Sequence, residues 1–316
     1  MSWRVANELI TAPWTAAGAS YVAAVLAVLA AITLVLIVAF GLARRGGASS
    51  PTLLARWLTW IVLASVWAVT CLSGPLPVAL LMTLFALLGL REFGRLTDLP
   101  RSHRWLLAAG AVISGALALE GPVALLAMIP ILLLVGIIQP VVAVDIQRGV
   151  RHLAFGSLAF GYLPLLLDHG VLIARDVAGG GLVLLVVGAA VAFSDIGAYV
   201  AGRTLGRHKL SPILSPNKTV EGLIGNLCGA ALAYALFSPI YPSVAPWLVV
   251  VLPVLVAVGA VWGDLFESAL KREFGVKDAG SWLPGFGGIL DRIDSLIIVL
   301  PLTYYGLGLA GRFVGQ

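Results

Sequence analysis

The sequence predicts an all-α membrane protein that crosses the bilayer many times. Its mean hydropathy is +1.03 over 316 residues, and hydrophobic residues make up 60% of the chain while charged residues make up 11%. Several apolar runs reach the roughly 20 residues that a helix needs to cross the hydrocarbon core. We therefore expect a polytopic bundle of about 8–10 transmembrane helices. Residues 1–316 would form a single integral membrane domain.

The apolar runs place about ten spans along the chain. The first is too long, and too poor in preceding basic residues, for a cleaved signal peptide, so we expect it to be retained. The third and fourth are short, and either could be tilted, re-entrant or merged. The predicted spans are residues 20–43, 56–73, 76–91, 105–119, 122–141, 153–168, 180–201, 221–240, 246–264 and 287–311.

The basic residues support this arrangement and orient it. Seventeen of the 20 Lys and Arg residues fall on one side of the predicted membrane, and the exceptions are Arg4, Arg175 and Arg312. Loops rich in Lys and Arg stay in the cytoplasm. We therefore expect a multi-pass protein of a bacterial inner (cell) membrane with both termini on the other side. The net charge of +5 reflects this loop asymmetry, so we expect no nucleic-acid partner.

Polar side chains at helical spacing follow the ninth span. They stand at i, i+3, i+4 and i+7, so a helix leaving the span would carry all of them on one face: Asp264, Glu267, Ser268 and Lys271. A solvated loop between two membrane helices would not need acids and bases that alternate in this way. The spacing favours a functional segment.

A pair of carboxylates stands at the start of the tenth span. Asp291 and Asp294 lie three residues apart and face the same way, and Gly287 and Gly288 just before them allow backbone or ligand to approach closely. A short loop would gather these acids with those of the ninth span at the cytoplasmic edge of the bilayer. Clustered carboxylates repel one another unless a cation lies among them, and Mg²⁺ fits best. Nearby bases would suit the phosphates that such a metal carries: Lys271, Arg272 and Lys277.

A second polar group follows the seventh span. Ser194 and Asp195 lie near the end of an apolar helix, where an ionised carboxylate is costly and is commonly functional. The polar sequence SPNKTVE then precedes the eighth span. Thr219 or Ser215 could simply cap that helix, and this interpretation stays open. Lys218, however, is unfavourable beside a helix N-terminus unless an anion such as a phosphate is bound there.

Other features have plainer interpretations. The chain has no Walker A sequence, no paired His and Cys ligands and no nucleophile elbow. Residues 91–104 carry four Arg with Glu92 and Asp98, and could touch anionic lipid headgroups or act as a cytoplasmic anchor. Gly225 and Gly229, four residues apart in the eighth span, predict close helix packing.

Three segments resemble one known family. The run S-A-L-K-R-x4-K-D-x-G-x2-L-P-G-x-G-G-I-L-D-R-I-D, from Ser268 to Asp294, closely resembles the signature of phosphatidate cytidylyltransferases, also called CDP-diacylglycerol synthases. The runs SDIGAYVAGRTLGRHKLSPILSPNKTVEG and GDLFES also match that family's pattern. The similarity covers the C-terminal part, residues 176–316, which we expect to be catalytic. Residues 1–175 match only as a set of apolar spans.

The resemblance implies Mg²⁺-dependent condensation of CTP with phosphatidic acid, giving CDP-diacylglycerol and pyrophosphate, with a second cation left open. It also implies a helical bundle among membrane lipids, with a polar active-site funnel on the cytoplasmic side, and a homodimer. It makes Asp264, Asp291 and Asp294 the metal-site acids, with Lys271 and Arg272 completing the catalytic group. The substrate-binding residues that it implies are Ser194, Asp195, Lys218, Thr219, Glu221, Ser268, Lys277, Asp278, Gly287, Gly288 and Arg292.

The chain departs from the family pattern at Phe286, because family members usually carry His between Pro-Gly and Gly-Gly. A smaller departure is Ile196, where Thr commonly follows Ser-Asp. Phe286 keeps open a paralogue that uses CTP to activate a different lipid phosphate. From other classes, a membrane transporter of an anionic solute and a non-catalytic scaffold also remain open, although the two halves of the chain show no paired, interrupted segments.

Overall fold

The computed structural model describes residues 50–142, 148–238, 247–276, 280 and 288–311, with side chains from residue 59 onward except at 139, 140 and 142. Within these ranges the chain is almost entirely helical, which confirms the predicted fold class. The elements are α1 (Ser50–Leu72), α2 (Pro75–Leu96), α3 (Arg101–Glu120), α4 (Pro122–Leu126), α5 (Met128–Val142), α6 (Gly149–Phe160), a π-helical turn (Gly161–Leu165), α7 (His169–Asp176), α8 (Gly180–Thr204), β1 (Lys209–Ser211), β2 (Ser215–Thr219), α9 (Val220–Phe237), α10 (Leu248–Glu273) and α11 (Leu290–Leu309).

Among the described residues, seven helical segments are long and apolar enough to cross a membrane: α2, α3, Gly149–Asp176, α8, α9, α10 and α11. Two shorter apolar segments, Thr59–Leu72 and Pro122–Ile138, accompany them. The protein is therefore an integral membrane protein with a polytopic helical bundle. The predicted first span, residues 20–43, lies outside the described residues.

Several helices extend beyond the apolar runs that predicted them. The third and fourth predicted spans are full helices of 22 and 20 residues, α2 and α3. Helix α10 runs nine residues past its predicted end at 264 and stops at Phe274, where Gly275 takes a φ of 67°. Hydropathy marks the part of a helix that lies in lipid, whereas the helix itself ends where the backbone turns left-handed. This extension keeps the polar face of α10 on one continuous helix.

Two predicted spans are interrupted. A turn at Ala127 separates α4 from α5 within the predicted span 122–141. The predicted span 153–168 belongs to a longer segment, Gly149–Asp176, that includes a π-helical turn containing Pro164. Proline has no amide hydrogen to donate along the helix, so the local hydrogen-bond pattern shifts.

A small antiparallel hairpin joins α8 to α9. Its strands pair Lys209 with Thr219 and Ser211 with Ser215. The Thr219 hydroxyl then accepts a hydrogen bond from the Gly222 amide (3.0 Å), so the predicted helix cap is confirmed. The hairpin itself was not predicted, since its polar strands carry no alternating apolar pattern.

Glycines let the helices that carry the polar residues approach closely. A Cβ on Gly225 would overlap the backbone of Gly197, and one on Gly229 would overlap the backbone of Phe193, which confirms the close packing predicted for α9 against α8. In the same way, a Cβ on Gly263 of α10 would overlap the backbone of Asp294 in α11. We call the end of the bundle where α8 and α10 end and α9 and α11 begin the polar end.

Candidate active site

A polar cavity of about 450 Å³ occupies the polar end of the bundle, between α8, the hairpin, α9, α10 and α11. The close helix crossings at Gly225 and Gly263 bring its walls together. Ten residues singled out from the sequence line it: Asp195, Ser215, Lys218, Thr219, Asp264, Glu267, Lys271, Asp291, Arg292 and Asp294. Two segments far apart in sequence thus meet in one site.

Three carboxylates meet inside this cavity. One oxygen each from Asp264, Glu267 and Asp294 lies within 4.8 Å of the other two, and we call this group the acidic triad. Glu267 and Asp294 are 1% and 8% exposed. The Oε1 atom of Glu267 has no hydrogen-bond partner among the described residues, although buried oxygens are nearly always paired. Oxygen ligands gathered in this way are suited to a hard divalent cation.

Lys271 joins the acidic triad to Asp291. Its Nζ lies 2.5 Å from Glu267 Oε2 and 2.7 Å from Asp291 Oδ1. The Gly288 amide donates to the other oxygen of Asp291 (2.8 Å). The structure therefore places Glu267 in the acidic triad, whereas Asp291, predicted as a metal-site acid, pairs with the lysine.

A second lysine reaches the triad from the hairpin. Lys218 Nζ lies 2.7 Å from Asp264 Oδ2, and its side chain is 21% exposed. On the opposite side, the Ser268 hydroxyl donates to Asp264 Oδ1 at 3.4 Å. Asp264 is thus oriented by two groups, and the hairpin is tied to α10.

Acids outnumber bases around the cavity. Among the described lining residues there are five acids and three bases: Asp195, Asp264, Glu267, Asp291 and Asp294 against Lys218, Lys271 and Arg292. The formal charge of the lining is thus −2, which a divalent cation would balance. The bases would remain close enough to attract an anionic substrate once that charge is balanced.

Several residues predicted as catalytic or substrate-binding lie away from the cavity lining. Ser194 is fully buried and donates to Val191 O in its own helix (2.8 Å). Glu221 accepts from His208 Nδ1 (2.6 Å), and the exposed Arg272 donates to the backbone of Val276. Residues predicted for the site that lie outside the described ranges are Lys277, Asp278 and Gly287, together with Phe286.

A buried polar residue of the site, Asn226, was not predicted from the sequence. Asn226 lines the cavity, is 2% exposed, and has no hydrogen-bond partner for Oδ1 within the described part of the chain. It lies seven residues, about two helical turns, after Thr219, so helical periodicity could have found it. Glu267 was expected among the acids gathered at this end of the bundle, but it was not named as a metal-site acid.

Glu92 belongs to the charged segment 91–104, for which the sequence left lipid contact and a cytoplasmic anchor open, but its own side chain is buried. Its side chain is 2% exposed and accepts hydrogen bonds from the amides of Ile289 (3.0 Å) and Leu290 (2.9 Å). No sequence signal could have paired positions nearly 200 residues apart. The end of α2 is therefore attached to the start of α11.

Comparison with known proteins identifies the family of this chain. Residues 54–310 match the sequence model of the cytidylyltransferase family. The chain is 48% identical over 110 residues to a phosphatidate cytidylyltransferase of Staphylococcus saprophyticus, and 47% and 46% identical over 110 residues to proteins of that name from Staphylococcus haemolyticus and Staphylococcus aureus.

Each of these matches covers 34% of this chain and 42% of the relative, so the aligned region spans less than half the length of the relatives. The family match, in contrast, extends from α1 to the end of α11 and includes every wall of the polar cavity. This chain belongs to the cytidylyltransferase family.

Proposed function

We propose that this protein is a phosphatidate cytidylyltransferase, which condenses CTP with phosphatidic acid to give CDP-diacylglycerol and pyrophosphate. The observation that carries the proposal is the acidic triad, paired with Lys218 and Lys271, in a polar cavity at the end of a membrane bundle. The family match and the names of the staphylococcal relatives support the same chemistry.

The residues present fit a Mg²⁺ ion. Asp264, Glu267 and Asp294 would hold it, since they offer three carboxylate oxygens in a small volume. Glu267 also carries a buried oxygen, Oε1, that has no hydrogen-bond partner among the described residues. When bound, the ion would neutralise phosphate charge and orient the triphosphate. One such ion would balance the formal charge of −2 on the described lining residues, and a second cation remains a prediction.

The reaction needs positioning and charge neutralisation more than proton transfer. An oxygen of the lipid phosphate attacks the α-phosphorus of CTP, a new P–O bond forms, and the bond to the leaving pyrophosphate breaks. The attacking phosphomonoester is already anionic at neutral pH, so no strong general base is required. Lys218, Lys271 and Arg292 would stabilise the negative charge on the phosphates in the transition state.

The location of the cavity suits substrates of opposite solubility. The acids and bases lie at the polar end of a bundle of apolar helices, where a lipid headgroup and a water-soluble nucleotide can meet. The distribution of Lys and Arg supports a cytoplasmic site in a bacterial cell membrane. A homodimer, and the division into an N-terminal part (1–175) and a catalytic part (176–316), remain predictions.

The test uses purified full-length protein in detergent with labelled CTP, Mg²⁺ and phosphatidic acid. We expect labelled lipid-linked nucleotide and pyrophosphate in equal amounts. Turnover with another lipid phosphate, but not with phosphatidic acid, would replace the proposed substrate and point to Phe286 as its cause. Absence of nucleotide turnover with every lipid phosphate would overturn the enzyme assignment in favour of a transporter or scaffold.

We also expect Glu267→Gln to weaken metal binding more than Asp291→Asn does. Glu267 belongs to the acidic triad, whereas Asp291 is held by Lys271 and the Gly288 amide. Titration of the substrate-free protein with Mn²⁺, followed by electron paramagnetic resonance, measures both affinities. An Asp291→Asn variant that binds Mn²⁺ as weakly as, or more weakly than, Glu267→Gln would restore Asp291 as the metal ligand that the sequence predicts.

A further inference from the structure

We infer that Glu92 is a positioning residue of the active site: it holds the start of α11, and with it Asp291 and Asp294, in register with α10. Glu92 does not line the cavity, so it would act through other residues and not on the substrate. The expected effect on catalysis rests on the proposed function, whereas the role of Glu92 in holding α11 rests on geometry alone.

The carboxylate of Glu92 replaces the missing cap of α11. Ile289, the residue at the N-cap position, has an apolar side chain and supplies no capping hydrogen bond. Glu92 Oε1 accepts from the Ile289 amide and Oε2 accepts from the Leu290 amide, at 3.0 and 2.9 Å. A negative charge at a helix N-terminus also interacts favourably with the helix dipole. One side chain on α2 therefore satisfies two backbone donors at the first turn of α11.

The glycines around Glu92 show how closely the chain fits against it. A Cβ on Gly288 would lie 2.6 Å from Glu92 Oε2 and 2.9 Å from the amide of Gly280. A Cβ on Gly280 would overlap the carboxylate as well. Gly288 was expected to allow close approach of backbone or ligand, and the group that approaches is the Glu92 side chain. Both glycines lie within the signature segment, and both pack closely against the Glu92 carboxylate.

These contacts lead directly to the site. The Gly288 amide donates to Asp291, which in turn pairs with Lys271, and Lys271 pairs with Glu267 of the acidic triad. Asp294 lies one helical turn after Leu290. Because the first turn of α11 carries both acids, a shift of that turn would move Asp294 relative to Asp264 and Glu267.

The chemistry requires a carboxylate of this length. A glutamine has the same shape but only one acceptor oxygen, so its amide group would face a backbone donor. Removing a group that orients a metal ligand by hydrogen bonding commonly lowers metal affinity or activity by roughly 10- to 100-fold. Glu92→Gln should therefore lower kcat by roughly 10- to 100-fold while the KM for CTP changes by less than about twofold.

The experiment compares Glu92→Gln with Glu273→Gln, which makes the same chemical change at an exposed position at the end of α10. Three quantities are measured: kcat and KM for CTP, Mn²⁺ affinity of the substrate-free protein, and the thermal unfolding midpoint. We expect Glu92→Gln to lower kcat and to lower Mn²⁺ affinity about tenfold, without a comparable loss of folded protein. Glu273→Gln should behave as the unmodified protein.

Gly288→Ala provides a second test, because the added methyl group would displace the Glu92 carboxylate without changing Glu92 itself. We expect the same loss of kcat and Mn²⁺ affinity. Normal kcat and Mn²⁺ affinity in a folded Glu92→Gln protein would overturn the inference. Failure of both variants to fold would also overturn it, because Glu92 would then be required for folding itself. The Mn²⁺ titration needs neither CTP nor lipid, so it still tests Glu92 if the unmodified protein proves inactive with phosphatidic acid.

Discussion

Asp294→Asn should abolish nucleotidyl transfer while the protein is still made and inserted into the membrane. Asp294 is 8% exposed, contributes an oxygen to the acidic triad, and has its Oδ1 fixed by the amide of Ser295 at 2.7 Å. Asparagine keeps the shape of the side chain but removes the charge that a metal ion needs. We expect turnover to fall on the order of a thousandfold, as when one preorganised electrostatic group is removed from an active site. The labelled-CTP assay measures the loss.

The matched control is Asp98→Asn, the same chemical change at an exposed position with a φ of 52°, a backbone conformation that asparagine tolerates well. It should keep full activity. Detergent-solubilised yield and elution volume of both variants report insertion and folding. Substantial turnover by a well-folded Asp294→Asn protein would remove Asp294 from the proposed site.

Lys271→Met should reduce both stability and turnover. Lys271 is 13% exposed and lies between two buried carboxylates, Glu267 and Asp291. Removing the lysine leaves those charges without their cation, which costs about 3 kcal/mol or more when a buried pair is broken. It also removes a base that would hold phosphate, so we expect turnover to fall about a hundredfold. Thermal unfolding in detergent and the labelled-CTP assay measure the two effects.

A double variant separates these two effects. Lys271→Met combined with Glu267→Gln removes one of the carboxylates left unpaired, so part of the lost stability should return while activity stays low. Lys209→Met, at an exposed position in the hairpin, is the control for loss of a lysine and should change neither quantity. A Lys271→Met protein as stable as its parent would show that the buried charges have another counterion.

Local features of the site could be predicted because they depend on helical periodicity. Asp264, Glu267 and Lys271 were expected on one face from their spacing alone, and α10 carries them on one continuous helix. Asp291 and Asp294 were expected at the start of the last span, and α11 begins at Leu290. Thr219 was expected as a helix cap from its position before an apolar run. Each of these predictions depends only on residues that lie within a few positions of one another along the chain.

The sequence could not show which of the four acids would form the acidic triad. The sequence offered Asp264, Glu267, Asp291 and Asp294 as near equals, and the resemblance favoured the three aspartates. The structure separates them by their neighbours. Lys271 pairs with both Asp291 and Glu267, but the Gly288 amide engages the second oxygen of Asp291, whereas the second oxygen of Glu267 has no hydrogen-bond partner among the described residues. That choice depends on how α10 and α11 are rotated about their axes where they cross at Gly263.

By itself, the sequence determined the all-α class, the order of the spans and the chemistry of the charged segments, because hydropathy and helical spacing are local properties. Tertiary structure alone decided which carboxylates share the cavity, which lysine each one meets, and the attachment of α11 to Glu92. Those contacts join residues on different helices, up to 198 positions apart in the chain. Their formation depends on helix packing in three dimensions, which no short window of sequence records.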